Sequence, residues 1–368
     1  MKVGSDFSGV GAFDQALKRL GVNYETVFAC DMDKYARDTF IHNYGEPEYY
    51  PTNVYDRKIP SESLDIYMTS PPCQAFSLAG KRLGKEDKRG ILFFNSHEFI
   101  AKNKPRFFIF ENVKGLLSDD SGKTFQEWVN MLGGKSVNGL PVLFPYEDSV
   151  PYHLYWKVLN AKHHGVPQNR ERVFLIGIRD DKDNQFQFPK DEHLSKRLKD
   201  VLEGDVDDKY FLSEKMLELI TFQEKTNGEI ANLNKGGERG SVYDVNTDAM
   251  SCLSATDYKQ PKQIFINSVV QLNQNKESGG VQPYQQNRVY DSNGLCPALN
   301  AGQITWGGNI VTLPNEYRIR RLTPRECFRL MYFPDTFTWN VSDSQAYKQA
   351  GNSIVVNVLY KILKQLPL

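Results

Sequence analysis

The stretch Thr69-Ser70-Pro71-Pro72-Cys73-Gln74-Ala75-Phe76-Ser77 decides how the rest of the chain is read. Ahead of it, Leu64-Asp65-Ile66-Tyr67-Met68 is apolar and β-prone, the pattern of a buried strand. Pro71 and Pro72 end that strand, because neither has an N–H to give to a ladder. Cys73 is therefore presented on a loop at the carboxyl end of a strand, where ligands and chemistry collect in an open α/β sheet. A second strand, Arg106-Phe107-Phe108-Ile109-Phe110, runs into Glu111-Asn112-Val113. A cysteine at one strand end and a carboxyl at another can make a nucleophile and an acid in one cleft. Taken alone, Cys73 is more often an inert core thiol beside a tight turn. The segments on either side of it reverse that reading.

Composition sets outer bounds. The chain has 368 residues and a formal net charge of zero, so no global basic field points to nucleic acid or an anionic membrane. Local clusters can still bind phosphate. The five cysteines are scattered without Cys-x-x-Cys pairs, which argues against a disulfide framework or a structural zinc site and for a reducing compartment. Met1-Lys2-Val3-Gly4-Ser5 lacks the apolar run of a signal peptide, and no apolar run is long enough for a membrane span. A soluble cytoplasmic protein without a metal is expected.

The first forty or so residues resemble a nucleotide pocket in pattern. Asp6-Phe7-Ser8-Gly9-Val10-Gly11 lies between a short strand and a helix over 12–20, closed by Gly21. Glycines there let the backbone approach a ligand closely. The dinucleotide fingerprint wants a third glycine where Asp14 stands, so the Gly-x-Gly is weak by itself. A second strand, Tyr24 to Ala29, leads to Asp31, about twenty residues after Gly11, the spacing at which a carboxylate accepts hydrogen bonds from ribose hydroxyls. A nucleoside with little phosphate fits better than a dinucleotide. A helix over Lys34–Tyr44 closed by Gly45 follows, then Asn53-Val54, a candidate lining of the adenine side.

From Gln74 to Gly90 the chain is polar, with Lys81, Arg82, Lys85, Lys88 and Arg89 among glycines. Most such runs are solvated surface; placed directly after Cys73, this one reads as a lid that closes over a polyanion. A helix is expected over Ile91–Lys102, and strands over 158–160 and 172–178. Between those strands, Arg170 and Arg172 alternate, and on that basis they are expected to face opposite ways, one into the cleft and one bracing it. Beyond Arg179 the chain is polar, glycine-dotted and weakly periodic, like a second domain of short strands and loops. Order returns at Arg318: a helix start at Leu322-Thr323-Pro324, then 345–364, interrupted by Gly351-Asn352-Ser353.

Taken in order, these segments resemble the cytosine-C5 DNA methyltransferase family over nearly the whole of residues 3–180 and 318–365. Phe7-Ser8-Gly9-Val10-Gly11 is similar to the family's S-adenosylmethionine (SAM) loop, and Asp31-Met32 to its ribose-binding acid and adenine-stacking neighbour. Pro72-Cys73-Gln74 resembles the nucleophile motif, Glu111-Asn112-Val113 the acid motif, and Gln168-Asn169-Arg170-Glu171-Arg172 the Gln-x-Arg-x-Arg motif. Arg321-Leu322-Thr323-Pro324-Arg325-Glu326 resembles the segment that supports a recognition domain, and Gly351-Asn352-Ser353 the last motif, whose helix returns to the cofactor.

The resemblance implies a Rossmann-like SAM-dependent domain over 1–183 and 340–368, with a smaller, mostly β or irregular target-recognition part and hinge over 184–339. It implies Cys73, Glu111, Arg170 and Arg172 as catalytic residues. Phe7, Gly9, Gly11, Asp31, Met32, Asn53, Pro72, Leu92, Asn352 and Ser353 are implied around SAM and its product S-adenosylhomocysteine. Gln74, Ser77, Lys81, Arg82, Arg89, Leu299 and Asn300 are implied on DNA. Duplex DNA is the implied partner, with a cognate restriction endonuclease acting on the same site as a candidate second one; no membrane is implied, and a monomer is expected. Two positions depart from the family pattern. Asn53 stands where an aspartate usually meets the adenine amine, and Ala298-Leu299 where Thr-Leu is usual. A tRNA-modifying branch of the same fold usually carries Cys-Phe-Thr, which does not occur here.

The implied chemistry explains the residue types. Cytosine C5 is a poor nucleophile, and addition of a thiolate at C6 makes an enamine whose C5 attacks a sulfonium methyl. Glu111, protonated or sharing a proton, would bond N3 and the exocyclic amine, and Arg172 would hold the O2 side. A duplex base must flip out of its stack to reach such a cleft.

The recognition region also contains two similar blocks. Arg239-Gly240-Ser241-Val242-Tyr243-Asp244, Asn246 and Cys252-Leu253-Ser254-Ala255 share their order with Arg288-Val289-Tyr290-Asp291, Asn293 and Cys296-Pro297-Ala298-Leu299-Asn300-Ala301. Chance similarity of two hairpins is the bland reading; an internal repeat is preferred. The second block is expected beside the flipped base. The first is expected to touch DNA further along the groove, through Tyr258 and Lys259.

Overall fold

The computed structural model describes residues 1–71, 91–179, 186–211, 242–244, 250–255, 263–266 and 318–368. The chain forms two compact units, one of Met1–Lys196, Ser251–Tyr258 and Pro324–Leu368, the other of Arg197–Met250 and Lys259–Thr323. The first unit thus runs past residue 183, takes up a short piece of the recognition region, and resumes at Pro324 rather than at 340. Apolar packing accounts for the difference. Phe186 packs on Tyr155 with ring centroids 5.2 Å apart, and Phe328, Met331 and Phe333 are all buried.

The elements of the first unit begin with β1 (Lys2–Asp6), α1 (Ala12–Leu20), β2 (Glu25–Cys30) and α2 (Lys34–Tyr44). Next come β3 (Ile66–Thr69), α3 (Ile91–Asn103), β4 (Phe107–Val113) and α4 (Lys123–Leu132). Strands β5 (Ser136–Val137), β6 (Leu140–Pro141), β7 (His153–Asn160), β8 (Gln168–Asn169) and β9 (Glu171–Ile178) follow. After the short strands β10 (Val242–Asp244), β11 (Met250–Ser251), β12 (Gln263–Ile266) and β13 (Arg318–Arg321), three helices finish the chain: α5 (Pro324–Leu330), α6 (Asp343–Asn352) and α7 (Val356–Leu363).

Eight strands make one sheet in the order β2-β1-β3-β4-β9-β7-β5-β6. β2, β1, β3 and β4 are parallel, and the apolar runs of β3 and the first half of β4 are buried on both faces. The chain moves from β1 outward to β2 and then back across to β3, the switch in strand order at whose carboxyl edge open α/β sheets place their ligand crevice. β9 is antiparallel to β4 and to β7. That reversal brings the start of β9 to the same edge as the end of β4, with Arg172 opposite Val113.

An aromatic core lies beneath this edge. Tyr67 stacks on Phe99 with centroids 4.1 Å apart, and Phe93 on Trp128 at 4.3 Å. In the second unit, β10, β12 and β13 form a three-stranded sheet, with β12 antiparallel to β13.

Candidate active site

The acid motif is the last part of β4 itself. Pleating and register leave Glu111 7 % exposed at the carboxyl edge, and Asn112 buried beside it. Asn112 donates from Nδ2 to the carbonyl of Pro71 at 3.2 Å, tying β4 to the start of the Cys73 loop. Because β9 runs back along β4, Arg172 reaches Glu111, with Nε 3.1 Å from Oε1. Burial pushes the Glu111 carboxyl above its ordinary range, against the pull of Arg172 and Arg170. A carboxyl so placed can keep or share a proton beside a fixed cation.

Arg170 and Arg172 converge instead of facing opposite ways. Positions two apart in an extended chain share a face, so alternation sends them together. Both guanidinium groups reach one thiol: Arg170 Nη1 lies 3.1 Å and Arg172 Nη2 3.8 Å from Cys252 Sγ. Arg170 is buried and acts as a bracket. It donates to the carbonyls of Leu253 (2.8 Å), Gly351 (3.1 Å) and Ser353 (2.7 Å). Gln168 accepts from the Leu253 N–H at 3.2 Å, and its amide donates to the Leu330 carbonyl.

Of the two similar blocks, part of the first is described, and the second, 288–301, lies outside the described residues. The first block, read as touching DNA far from the target, supplies the segment Cys252–Ala255 that sits on the arginines. Its Leu253 carbonyl and Cys252 thiol meet Nη1 of the buried Arg170, which accounts physically for its place. The signal was present in the sequence as the Leu-x-Ala ending of the first block. The close fit also explains Gly351: a Cβ there would lie 2.2 Å from the Ser254 carbonyl oxygen.

The cofactor-like edge is built by the turn after β1. Phe7 (φ 57°), Gly9 (φ 54°) and Gly11 (φ 83°) hold left-handed backbone. Gly11 also packs where a Cβ would strike Tyr44 at 2.3 Å. A Cβ on Gly9 would meet nothing within 4 Å, so the turn offers open backbone at the crevice. Asp31, just past β2, accepts from the Gly9 N–H through Oδ2 and from the Asp33 N–H through Oδ1, both at 2.8 Å. Met32 next to it is 86 % exposed, an apolar face for a planar ring.

The last motif returns to this edge. Lys348 on α6 pairs with Asp33 at 2.7 Å, and Gln349 donates to the Tyr35 carbonyl. The open turn, the adjoining carboxylate and the exposed thioether fit a nucleoside with a short charged tail, the chemistry of SAM.

Other expected residues have different surroundings. The Asn53 amide oxygen accepts from the Tyr55 N–H at 3.0 Å, closing its own turn. Leu92 packs against the apolar core, and Asn352 is exposed at the end of α6. Ser353 donates its hydroxyl to the Ile354 carbonyl. Asp14 is buried and accepts from Thr26 at 3.2 Å, and burial raises its pKa to about 7. Pro72, Cys73, Gln74, Ser77, Lys81, Arg82, Arg89, Tyr258, Lys259, Leu299 and Asn300 lie outside the described residues. Among the described residues, no cluster of His, Cys, Asp and Glu could hold a metal ion.

A family model of the C-5 cytosine-specific DNA methylases matches residues 1–367. The chain belongs to the cytosine-C5 DNA methyltransferases. The orphan methyltransferase M.SPRI of Bacillus phage SPR is 34 % identical, over 100 % of this chain and 97 % of its own. The type II methyltransferase M.HhaI of Haemophilus parahaemolyticus is 33 % identical, over 97 % of this chain and 91 % of its own. A crystal structure of a Spodoptera frugiperda DNMT2 mutant shares the fold, with a TM-score of 0.67 at 21 % identity over 99 % of this chain and 98 % of that one. As a member of this family, the methyltransferase transfers a methyl group from SAM to C5 of cytosine in DNA through a covalent cysteine adduct. No helix among its described residues is long and apolar enough to cross a membrane.

Proposed function

We propose that Cys73 is the nucleophile, that Glu111 and Arg172 grip the target cytosine, and that the Phe7–Gly11 turn with Asp31 and Met32 seats the cofactor. The observation that carries this reading is the Glu111–Arg172 pair, 3.1 Å apart at the carboxyl edge that Asn112 ties to the Cys73 loop.

The Cys73 thiolate adds to C6 of the flipped base and forms an S–C6 bond. Glu111 holds a proton at N3 and accepts from the exocyclic amine, which neutralises charge developing on the ring and selects cytosine over thymine. Arg172 donates to O2. SAM, when bound, supplies an electrophilic methyl on its sulfonium. Once C5 carries that methyl, a base takes the C5 proton, the C–H electron pair re-forms the C5–C6 double bond as the S–C6 bond breaks, and Cys73 leaves as thiolate.

Arg170 works one layer back, holding Cys252–Ala255 and the turn at 351–353 against the arginine that faces the base. The segment beside the base is accordingly Cys252-Leu253, in the role that Thr-Leu has in the family pattern. The lid residues Gln74, Ser77, Lys81, Arg82 and Arg89 close on duplex DNA, and Tyr258, Lys259, Leu299 and Asn300, with the second unit, read the groove. The protein acts as a monomer in the cytoplasm. Where a cognate restriction endonuclease accompanies it, both act on the same site.

The test is a trap. Plasmid or oligonucleotide duplex carrying 5-fluorocytosine should form a denaturation-resistant adduct with the wild type, because fluorine blocks the final elimination. Cys73→Ala should form none while still binding SAM. Methylation by Cys73→Ala above trace rates would remove Cys73 from its role.

A further inference from the structure

Arg57 lies in the loop between α2 and β3, on none of the motifs, and is among the most deeply buried cations described. Its side chain is 2 % exposed, and its Nε lies 2.8 Å from Oδ1 of Asp6, whose side chain is fully buried. Asp6 Oδ2 accepts from the Tyr67 hydroxyl at 2.6 Å. The other end of the guanidinium donates from Nη2 to the Asn95 carbonyl at 3.3 Å, and its plane lies over Phe99, 4.5 Å from the ring centroid.

One buried fork therefore joins the last residue of β1, the middle of β3 and one face of α3. Each of these leads directly into the crevice. Asp6 precedes the strained Phe7–Gly11 turn. Tyr67 lies in the strand that feeds the Cys73 loop, and Asn95 in the helix that follows that loop. Ser96, beside Asn95, adds a buried hydroxyl contact to Thr69 at 2.8 Å.

A buried ion pair is a poor device for stability alone, since apolar side chains of similar volume usually serve as well or better. What the planar guanidinium adds is direction: the ion pair with Asp6, the Nη2 hydrogen bond to Asn95 and the face of Phe99 are met together at one mutual arrangement. We propose that Arg57 is a positioning residue for methyl transfer, holding the cofactor turn at a set distance and angle from α3. The inference rests on the reading of Phe7–Gly11 as the SAM seat.

Two full-length variants test it, Arg57→Lys and the double variant Asp6→Asn/Arg57→Met, each with SAM titration calorimetry, a thermal melt and steady-state methylation of plasmid DNA. The double variant removes both charges, so it avoids the unpaired buried carboxylate that Arg57→Met alone would leave. It should melt near the wild type yet bind SAM about tenfold or more weakly. Arg57→Lys keeps the pair with Asp6 but not the fork, and should raise KM for SAM severalfold with kcat little changed. SAM affinity equal to wild type in either variant, whatever its melting temperature, overturns the inference. If the double variant melts early, the KM and kcat of Arg57→Lys decide. Failure of the wild type itself to bind SAM, or binding unaffected by Asp31→Ala, would instead remove the cofactor reading on which this rests.

Discussion

Glu111 and Asp14 are both buried carboxyls, and burial raises the pKa of each. They differ in what they face. Glu111 has Arg172 at 3.1 Å and the open edge; Asp14 has the Thr26 hydroxyl and no cation within ion-pairing distance among the described residues. Replacing Glu111 with Gln should lower kcat by about 10²-fold or more while leaving the SAM isotherm in place. Equal rates for the two proteins would remove Glu111 from the chemistry.

For Asp14 the consequence is one of stability. Its native pKa of about 7 lies above the ordinary 3.8, so the folded state keeps a proton that the unfolded chain has lost. Stability from this group is complete below about pH 4 and drains as pH rises toward 7, at no more than about 1.4 kcal/mol per pH unit. Asp14→Asn should therefore gain more in melting temperature at pH 8 than at pH 5. A uniform shift at both values would contradict the argument. Asp31 also belongs to this scale: two backbone donors already orient it, so Asp31→Ala should weaken SAM binding more than Asn53→Ala, as calorimetry would read.

At the scale of elements, the parallel strands and their helices are largely legible in the sequence, because their signals are local. The helix Lys34–Tyr44 is bounded by an Asp33 cap, which accepts from the Tyr35 and Ala36 N–H groups, and by Gly45. β3 is an apolar run stopped by prolines. The meeting of Glu111 with Arg172 is not legible in this way, since it depends on β9 running antiparallel to β4, a choice made by the whole sheet. Nor can spacing alone tell that the first of two similar blocks brings its Leu253 carbonyl to Arg170. Arg57 escapes notice for the same reason: its partners are distant in sequence.

The contact between α6 and the recognition-derived segment gives an element-level prediction. Gly351→Ala would press a methyl against the Ser254 backbone, with atoms at 2.2 and 2.3 Å that cannot rotate away. DNA methylation should fall by about tenfold or more, with SAM binding far less affected. Loss of both together would mean that α6, not the 252–255 contact, had been disrupted.

His164, in the turn at Ala161–His164, is fully buried, and burial with nearby Lys361 lowers its pKa to about 4. The unfolded chain takes up that proton near 6.5 and the native one does not, so stability falls as pH drops across this window. In His164→Gln, melting temperature should decline less steeply between pH 7 and pH 4.5 than in the wild type.

The molecule as a whole is neutral, with 45 basic and 45 acidic residues. Its affinity for DNA must come from local clusters, and each neutralised phosphate still releases counterions. Binding should weaken steeply with salt, about 10³-fold between about 50 and 200 mM if six or so phosphates are met. Filter binding across that range checks it; a flat salt response would speak against a lid and groove that grip the backbone.

The return of residues 251–258 to the first unit has a consequence for exchanging target specificity between relatives. A graft that treats 197–323 as one cassette carries away Leu253 and Cys252, and leaves the host arginine fork facing whatever the donor happens to supply. A chimera cut at 197–250 and 259–323 keeps its own Leu253 carbonyl and Cys252 thiol on that fork. On the proposed reading, then, recognition would be exchanged as two parts separated by a short host-specific seam, and the seam has to travel with the chemistry.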